Sequence, residues 1–180
     1  MLTVILTGGR SRRMGRDKPT LTVGGTTLPY FLAEKYSSMG PVCFCVDKKG
    51  RFPVVPYDEI VDIYPGCGPL NGIVSAFHQT SEDLIFLTAV DMPGGSVNSV
   101  QVLRDAIGDA DACLFEGEPL FGLYRRGCLT AAEWCLRTGK NSFRCFLTKV
   151  KAVVLPLQGG ADLRNLNTPE EYEAYISSWS

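Results

Sequence analysis

Five of the nine residues at positions 10–18 are basic, and they follow two glycines, Gly8 and Gly9. The apolar run at 4–7 precedes the glycines and predicts a buried strand that opens into a loop. Consecutive backbone N–H groups in such a loop can bind an anion, and the cations are concentrated there as well. The stretch therefore predicts a polyphosphate-binding loop at the carboxyl end of the first strand of an α/β sheet. The plain alternative is a basic loop exposed to solvent.

Asp91 is the second residue that could do chemistry. It follows the uninterrupted apolar run at 84–90, which predicts a central strand buried on both faces, and Pro93 prevents that strand from continuing. An acid at the carboxyl end of such a strand lies on the ligand-binding edge of a parallel sheet. Its carboxylate could hold Mg²⁺, although an aspartate at a strand end often only caps the next helix.

Together, the basic loop and Asp91 provide what a nucleoside triphosphate site needs. Arginine and lysine neutralise phosphate charge, glycines let the backbone approach closely, and a carboxylate holds the metal that bridges phosphate oxygens. Each feature is unspecific on its own. Their position at the ends of two predicted parallel strands is what connects them.

The remaining chain alternates between short apolar strands and helical patterns, which predicts βαβ units and a mainly parallel sheet. The strands are predicted at 2–7, 42–46, 57–63, 84–90, 112–115, 119–124 and 152–155. The helices are predicted at 28–39, 73–79, 97–107, 128–138, 142–148 and from Pro169 to the end.

The last predicted helix has a clear start. Thr168 is its N-cap, Pro169 is its first residue, and Glu171 completes a capping box. One apolar stripe follows at helical spacing and should pack on the body of the protein, formed by Tyr172, Tyr175, Ile176 and Trp179.

Length and composition favour one ordinary globular domain over residues 1–180. The net charge is only −1, so the positive charge of the opening loop is local. A local positive charge argues for a small anionic ligand and against a general nucleic-acid surface.

Seven cysteines without a C-x-x-C pair, and a single histidine, His78, give little support for a structural zinc site. Unpaired cysteines in apolar runs suit a reducing cytosol. The sequence shows neither a signal peptide nor an apolar run of the ~20 residues that a membrane helix needs, so a cytoplasmic protein is expected.

Several nucleotide and catalytic motifs are absent from the sequence. It has no G-x-G-x-x-G dinucleotide fingerprint, no complete Walker A loop and no G-x-S-x-G elbow. His78 falls in an amphipathic helical stretch, where a histidine usually packs or faces water, so histidine-based acyl transfer is improbable.

Four segments, in order along the chain, resemble the molybdenum cofactor guanylyltransferases of the MobA type. Residues 6–18, L-T-G-G-R-S-R-R-M-G-R-D-K, are similar to the family's L-A-G-G-x-S-x-R-M-G-x-D-K signature and depart from it only at Thr7. Residues 68–72 resemble its G-P-L-x-G loop, and residues 90–93 resemble its C-D-x-P segment. Residues 165–171, N-L-N-T-P-E-E, are similar to its C-terminal motif.

The resemblance implies a three-layer, Rossmann-like nucleotidyltransferase fold, as in the nucleotide-diphospho-sugar transferases. It also implies the activity, in which GMP passes from GTP to the phosphate of molybdenum-bearing molybdopterin and pyrophosphate is released. Mg²⁺ would be the cofactor, and the contacts with other molybdenum cofactor biosynthesis proteins would be transient. No nucleic acid or membrane partner is expected.

The resemblance also implies roles for individual residues. The GTP-binding residues would be Leu6, Thr7, Gly8, Gly9, Lys18, Asp62, Gly68, Pro69 and Asp91. Among these, Lys18 would contact the phosphates, Asp91 would hold Mg²⁺, and Gly68 and Pro69 would shape the guanine pocket. Arg13 would help to neutralise the leaving group.

The molybdopterin side is expected near Asn167 and the strand at 119–124, with Arg125 and Arg126 able to reach the pterin phosphate. Asn165 and Asn167 could instead only brace a turn.

Two departures from the family leave questions open. Asp47 and Cys45 stand near the place of an asparagine that contacts the nucleotide in some members. The hydroxyl of Thr7 would lie beside the base and could shift the nucleotide preference.

Three alternatives remain: a molybdopterin cytidylyltransferase, another small nucleotidyltransferase such as a sugar-phosphate enzyme, and an inert nucleotide-binding module on the same fold. Gly8-Gly9 in place of Ala-Gly favours guanine over cytosine. The presence of both Lys18 and Asp91 argues against the inert module.

Overall fold

Seven strands form the central sheet in a computed structural model of the chain, which describes residues 1–8, 18–52, 56–157 and 163–178. In chain order, these seven strands and the two strands of a separate hairpin are β1 (Leu2–Leu6), β2 (Thr22–Val23), β3 (Thr26–Thr27), β4 (Val42–Val46), β5 (Asp58–Val61), β6 (Leu84–Ala89), β7 (Ala112–Phe115), β8 (Glu118–Arg125) and β9 (Ala152–Leu155). Their order across the sheet is β5-β4-β1-β6-β8-β7-β9, and β2 and β3 form a separate hairpin.

The sheet is mainly parallel, as predicted, with β8 as its one reversed strand among the described residues. In register, Leu6 of β1 lies beside Cys45 of β4 and Ala89 of β6. The carboxyl ends of the three strands therefore meet at one edge, where α/β sheets bind ligands. Because β8 runs the other way, it brings its amino-terminal end to this edge.

Helices cover both faces of the sheet. They are α1 (Leu28–Tyr36), α2 (Leu70–Gln79), α3 (Val97–Ala106), α4 (Leu129–Arg137), α5 (Phe143–Leu147) and α6 (Pro169–Ser177). Residues of α1 and α3 belong to the apolar core on one face, and residues of α2, α4 and α5 belong to the core on the other. The result is the three-layer arrangement that the resemblance implied.

Strand β1 shows why its sequence is continuously apolar. Leu2, Val4 and Leu6 pack into the core beneath α2, whereas Ile5 packs on the opposite side beneath α1. Side chains alternate between the faces of a strand, so a strand that is covered on both sides needs apolar residues at nearly every position.

Most element boundaries differ from the predicted ones by one or two residues, and three differences are larger. Helix α1 stops at Tyr36 and continues as a 3₁₀ turn, Ser37–Met39, which ends at Gly40 with a φ of 137°. Helix α2 begins at Leu70 rather than at position 73. The hairpin of β2 and β3 was not predicted, since each strand has only two residues.

The C-terminal helix has the predicted capping box. Thr168 Oγ1 accepts a hydrogen bond from Glu171 N, and the Glu171 side chain accepts one from the backbone N–H of Thr168. Tyr172, Tyr175 and Ile176 pack against the core as predicted, while Trp179 lies outside the described residues. In the part of the chain that the structure describes, no helix has the length and apolarity to cross a membrane.

Gly72 allows α2 to lie directly on β1. A Cβ at this position would collide with the side chain of Leu6 and would lie 3.8 Å from Cys45 Sγ. The absence of a side chain here thus sets the distance between the helix and the carboxyl end of β1.

We predict that Gly72→Ala lowers the free energy of unfolding by about 1–2 kcal/mol, since overpacking outweighs the helix propensity that alanine gains. Urea denaturation measures the change. Gly8→Ala is the control for stability, because no atom of the residues that the structure describes lies within 4 Å of a Cβ built there. Equal stability of Gly72→Ala and the unmodified protein would contradict the packing account.

Candidate active site

Lys18, Asp91 and Asn167 form one cluster at the carboxyl edge of the sheet. Lys18 Nζ donates hydrogen bonds to Asp91 Oδ2 at 2.5 Å and to Asn167 Oδ1 at 2.8 Å. The Lys18 and Asp91 side chains are only 14% and 18% exposed. The ammonium group of Lys18 therefore joins the residues that the sequence associated with phosphate, metal and pterin.

The backbone around Asp91 is fixed on both sides. Met92, which follows it, is fully buried, and its N–H bonds to Ala89 O at 3.1 Å. The Asp91 carbonyl accepts a hydrogen bond of 2.7 Å from Leu166 N. The carboxylate thus projects from a turn that is bound to its own strand and to the C-terminal segment.

Lys18 is placed by the 3₁₀ turn Lys18–Thr20. Pro19 is buried, and the Lys18 carbonyl accepts a hydrogen bond of 3.1 Å from Leu21 N. Leu21 also belongs to the core and accepts a backbone hydrogen bond from Leu28 N at 2.8 Å. The turn is therefore anchored to the start of α1, which leaves the Lys18 side chain directed at the sheet edge.

The capping box of α6 orients Asn167. Its backbone N–H donates to Glu171 Oε2 at 2.7 Å, so the turn is braced by the main chain and by Glu171. The Asn167 side-chain oxygen accepts from Lys18 instead. Asn167 therefore joins the candidate site in addition to any role in the turn.

Leu6, Thr7 and Gly8 lead out of β1 toward the same edge. Leu6 is buried in the core under α2, whereas Gly8 is exposed. Thr7 is 1% exposed, and its hydroxyl donates to Cys45 O at 2.7 Å. The hydroxyl thus holds β4 against the end of β1, and its expected position beside the base stays a prediction.

Asp62 follows β5 at the same edge of the sheet. Its N–H bonds to Val46 O at 2.8 Å, and its Oδ1 accepts a hydrogen bond of 3.1 Å from the Cys45 thiol. Burial raises the pKa of the Asp62 carboxyl above its ordinary value, and the thiol hydrogen bond opposes part of that rise. The same carboxylate and burial raise the pKa of Cys45, so Cys45 is a neutral donor.

The contact of Cys45 with Asp62 was missed by sequence reasoning. Side chains alternate between the two faces of a strand, so Cys43 and Cys45 are expected on one face of β4, but nothing in the sequence gives the register of β4 with β5. Asp47, the other residue considered there, is exposed and accepts a hydrogen bond from Arg51 at 3.2 Å.

The loop that contains Gly68 and Pro69 leads into α2. Gly66 and Gly68 both adopt positive φ, at 81° and 82°, which is why glycine is required there. Buried Asn71 fixes the loop, because its Oδ1 accepts hydrogen bonds from Tyr64 N and from Ser75 Oγ. Since Gly72 lies against Leu6, the loop is held beside the end of β1.

Glu118 is a second carboxylate on the Asp91 side of the sheet, and it was not predicted. Burial and the negative charge of Asp91 raise the pKa of Glu118. The sequence placed Glu118 in a turn between two strands. Only the reversed direction of β8 shows that this turn lies at the ligand-binding edge.

Arg125 and Arg126 lie at the opposite edge, so the prediction that they reach the pterin phosphate is wrong. Arg125 stands opposite Leu84, at the amino-terminal end of β6, and its guanidinium donates to Gly108 O and Ala110 O. The guanidinium of Arg126 donates to the carbonyls of Phe77, Thr80 and Glu82. The physical reason is the antiparallel course of β8, which carries its carboxyl end away from Asp91.

Gly9 and Arg13 lie outside the described residues. Their predicted contacts with the nucleotide and the leaving group therefore stay predictions.

Asp91 offers a donor set that fits Mg²⁺ shared with a nucleotide. Mg²⁺ is commonly held by one or two carboxylates, with phosphate oxygens and water completing its octahedral shell. Within the ranges that the structure describes, no three His, Cys, Asp or Glu residues are grouped to hold a metal by themselves. A single carboxylate beside a lysine suits an ion that takes its other ligands from the substrate.

Comparison with known proteins agrees with this geometry. The model of the MobA-like NTP transferase domain family matches residues 3–153. The chain belongs to this family. It is 30% identical to a probable molybdenum cofactor guanylyltransferase of Carboxydothermus hydrogenoformans, over 99% of this chain and 97% of the relative. It is 28% identical to the molybdenum cofactor guanylyltransferase of Syntrophotalea carbinolica, over 96% of this chain and 89% of the relative.

Solved structures of MobA-like and related transferases have the same fold. Molybdopterin-guanine dinucleotide biosynthesis protein A from Archaeoglobus fulgidus superposes with a TM-score of 0.84 at 23% identity, over 100% of both chains. The 2-C-methyl-D-erythritol 4-phosphate cytidylyltransferase of Thermus thermophilus gives a TM-score of 0.73 at 15% identity, over 98% of this chain and 97% of that one. The nucleotidyltransferase fold predicted for this MobA-like chain is confirmed.

The raised pKa of Asp62 predicts a pH-dependent effect of Asp62→Asn. The unfolded chain ionises Asp62 near the ordinary pKa of 3.8, whereas the folded chain ionises it at higher pH. Ionisation of Asp62 therefore lowers the stability of the unmodified protein as pH rises. We expect the stability of Asp62→Asn, relative to the unmodified protein, to increase between pH 3.5 and pH 7 in urea denaturation.

Asp109→Asn is a control of opposite sign. A hydrogen bond from Lys151 and its charge lower the pKa of Asp109, so this variant should lose relative stability as the pH rises through the ordinary pKa of 3.8. The same trend in both variants would contradict the account of Asp62.

Proposed function

We propose that this chain transfers GMP from Mg²⁺-bound GTP to the phosphate of molybdenum-bearing molybdopterin. An oxygen of the pterin phosphate forms a bond to the α-phosphorus of GTP, and the bond from the α-phosphorus to the bridging oxygen breaks. Pyrophosphate leaves, and the product is the guanine dinucleotide form of the cofactor. The family membership and the names of the relatives support this reaction.

The observation that carries the proposal is the double contact of Lys18. One ammonium group touches the carboxylate proposed to hold the metal and the amide proposed to face the acceptor. The donor nucleotide and the acceptor must meet at the α-phosphorus. Two anionic substrates that meet there repel each other. A cation between the two candidate subsites lies where it can neutralise this repulsion.

The reaction needs no general base, since the attacking phosphate is already an anion at neutral pH. Catalysis then depends on aligning two phosphates and neutralising their charge. This requirement fits an edge where Lys18 and Asp91 are held by buried neighbours. It also explains how a chain with one histidine could be an enzyme. Mg²⁺, when bound, would supply further neutralisation of the triphosphate.

The base would lie between the ends of β1 and α2. Gly68 and Pro69 would shape one side of its pocket, and Asp62 would offer a half-buried carboxylate. Guanine presents two neighbouring N–H donors at N1 and N2, which a carboxylate can accept together. This complementarity favours GTP over CTP.

Asp91→Asn tests the metal assignment. The variant should lower the rate of pyrophosphate release at least ~100-fold, because the amide is a weak ligand for a hard divalent cation. Its melting temperature should stay within ~3 °C of the original, since the side-chain shape is kept. A coupled pyrophosphate assay and thermal denaturation measure the two effects.

The matched control for Asp91→Asn is Asp109→Asn. Asp109 also bonds to a lysine, with Lys151 Nζ at 2.7 Å from Oδ1, but this pair is exposed and belongs to the amino end of β7. It should leave pyrophosphate release unchanged. Unaltered release in Asp91→Asn would refute the metal assignment.

Lys18→Ala tests the contact with the triphosphate. A charge-assisted hydrogen bond contributes about 1.5–3 kcal/mol, so GTP affinity should fall roughly 10–100-fold. Guanosine, which lacks phosphates, should bind almost equally to both proteins in isothermal titration calorimetry. Lys151→Ala is the matched control and should not alter GTP affinity. Equal losses for GTP and guanosine would contradict the role of Lys18.

A further inference from the structure

Helix α6 is attached to the body by tyrosine hydroxyls. None of its residues is fully buried, although its apolar stripe packs against the core. The Tyr172 hydroxyl donates to Thr22 O at 2.6 Å and accepts from Thr22 N at 3.2 Å. The Tyr175 hydroxyl donates to Pro93 O at 3.0 Å. Two tyrosines on one face of the helix thus bond to two different segments, the β2–β3 hairpin and the turn after β6.

These two loops are the ones that carry the charged groups of the site. Thr22 stands four positions after Lys18, in the short hairpin that follows its 3₁₀ turn. Pro93 stands two positions after Asp91, in the turn that leaves β6. Each tyrosine therefore holds the backbone next to one member of the pair.

The Asp91 turn is also held from the other side. Lys35 Nζ, on α1, donates to Pro93 O at 2.5 Å and to Gly95 O at 3.1 Å, and the Tyr36 hydroxyl donates to Gly95 O at 2.9 Å. Pro93 O thus accepts from both α1 and α6. The position of this carbonyl depends on two helices, and Tyr175 supplies the contact from the second.

The segment before α6 completes the arrangement. Leu166 N donates to the Asp91 carbonyl, and the Asn167 side chain accepts from Lys18. Helix α6 and the residues that lead into it consequently contact the Lys18 side and the Asp91 side at the same time. A helix with these contacts can set the distance between the two charged groups.

We propose that Tyr172 and Tyr175 are positioning residues with separate tasks. Tyr175 holds the Asp91 turn in the position that binds a divalent cation. Tyr172 holds the Lys18 turn in the position that binds the triphosphate. The inference rests on the proposed function, since it assigns the cation to Asp91 and the phosphates to Lys18.

The test compares Tyr175→Phe with Tyr172→Phe, which remove one hydroxyl each and keep the aromatic packing. Binding of Mn²⁺ is measured by electron paramagnetic resonance with saturating α,β-methylene-GTP. Binding of GTP without metal is measured by calorimetry in EDTA. The loss of one hydrogen bond corresponds to roughly a fivefold change in affinity, and the Tyr172 hydroxyl makes two such bonds with Thr22.

Tyr175→Phe should weaken Mn²⁺ binding about fivefold and leave metal-free GTP binding within about twofold. Tyr172→Phe should weaken metal-free GTP binding by about fivefold or more and leave Mn²⁺ binding within about twofold. Tyr124→Phe is the control for stability, because it removes a buried hydroxyl that bonds to Pro119 O within the sheet. It should lower the melting temperature without a selective effect on either ligand.

The outcomes separate this inference from the proposed function. Equal weakening of both ligands in both α6 variants would overturn the inference, because it would indicate a general structural role. So would unchanged Mn²⁺ binding in Tyr175→Phe when Asp91→Asn abolishes it. Unchanged Mn²⁺ binding in Asp91→Asn itself would instead overturn the metal assignment of the proposed function.

Discussion

The ammonium group of Lys18 connects the parts of this protein that its proposed chemistry needs. It bonds to a carboxylate 73 positions away and to an amide 149 positions away in the sequence. The side chains of Lys18 and Asp91 are mostly buried, so solvent screens their interaction less than it screens a surface ion pair. Burial of such a pair costs free energy unless neighbouring groups satisfy it, and here Asn167 accepts a further hydrogen bond from Lys18 while Leu166 N bonds to the backbone carbonyl of Asp91. The remaining architecture can be understood as the means of holding these three residues together.

The sheet supplies the first part of that support. Parallel strands β1 and β6 end side by side, so the turns that follow them begin at the same edge. Gly72 lets α2 approach this edge closely, and Thr7 binds β4 to it. The C-terminal segment supplies the second part, because it closes over the edge and bonds to the Asp91 carbonyl. Because β8 runs in the opposite direction, Glu118 lies at this edge of the sheet and Arg125 lies at the other edge.

Sequence reasoning succeeded where local pattern and chain order determine the structure. Apolar runs followed by Gly8 and Asp91 predicted two parallel strands that end at the ligand-binding edge, and the capping residues Thr168 and Glu171 predicted the start of α6. It failed where the outcome depends on strand direction or register. The short turn between β7 and β8 requires these two strands to be antiparallel, so the direction of β8 follows from the sequence; the expectation that Arg125 lies at the ligand-binding edge did not take it into account, and Glu118 was missed for the same reason. The contact of Cys45 with Asp62 likewise depends on the pairing of β4 with β5.

The central claim is that this edge joins GMP to a pterin phosphate. The most direct measurement supplies molybdenum-bearing molybdopterin, Mg²⁺ and equal concentrations of GTP and CTP, and identifies the products by mass spectrometry. The account predicts the guanine dinucleotide form of the cofactor, with one pyrophosphate released for each molecule formed. A cytosine dinucleotide as the main product would contradict the assignment of guanine. Absence of any dinucleotide product would contradict the transfer itself.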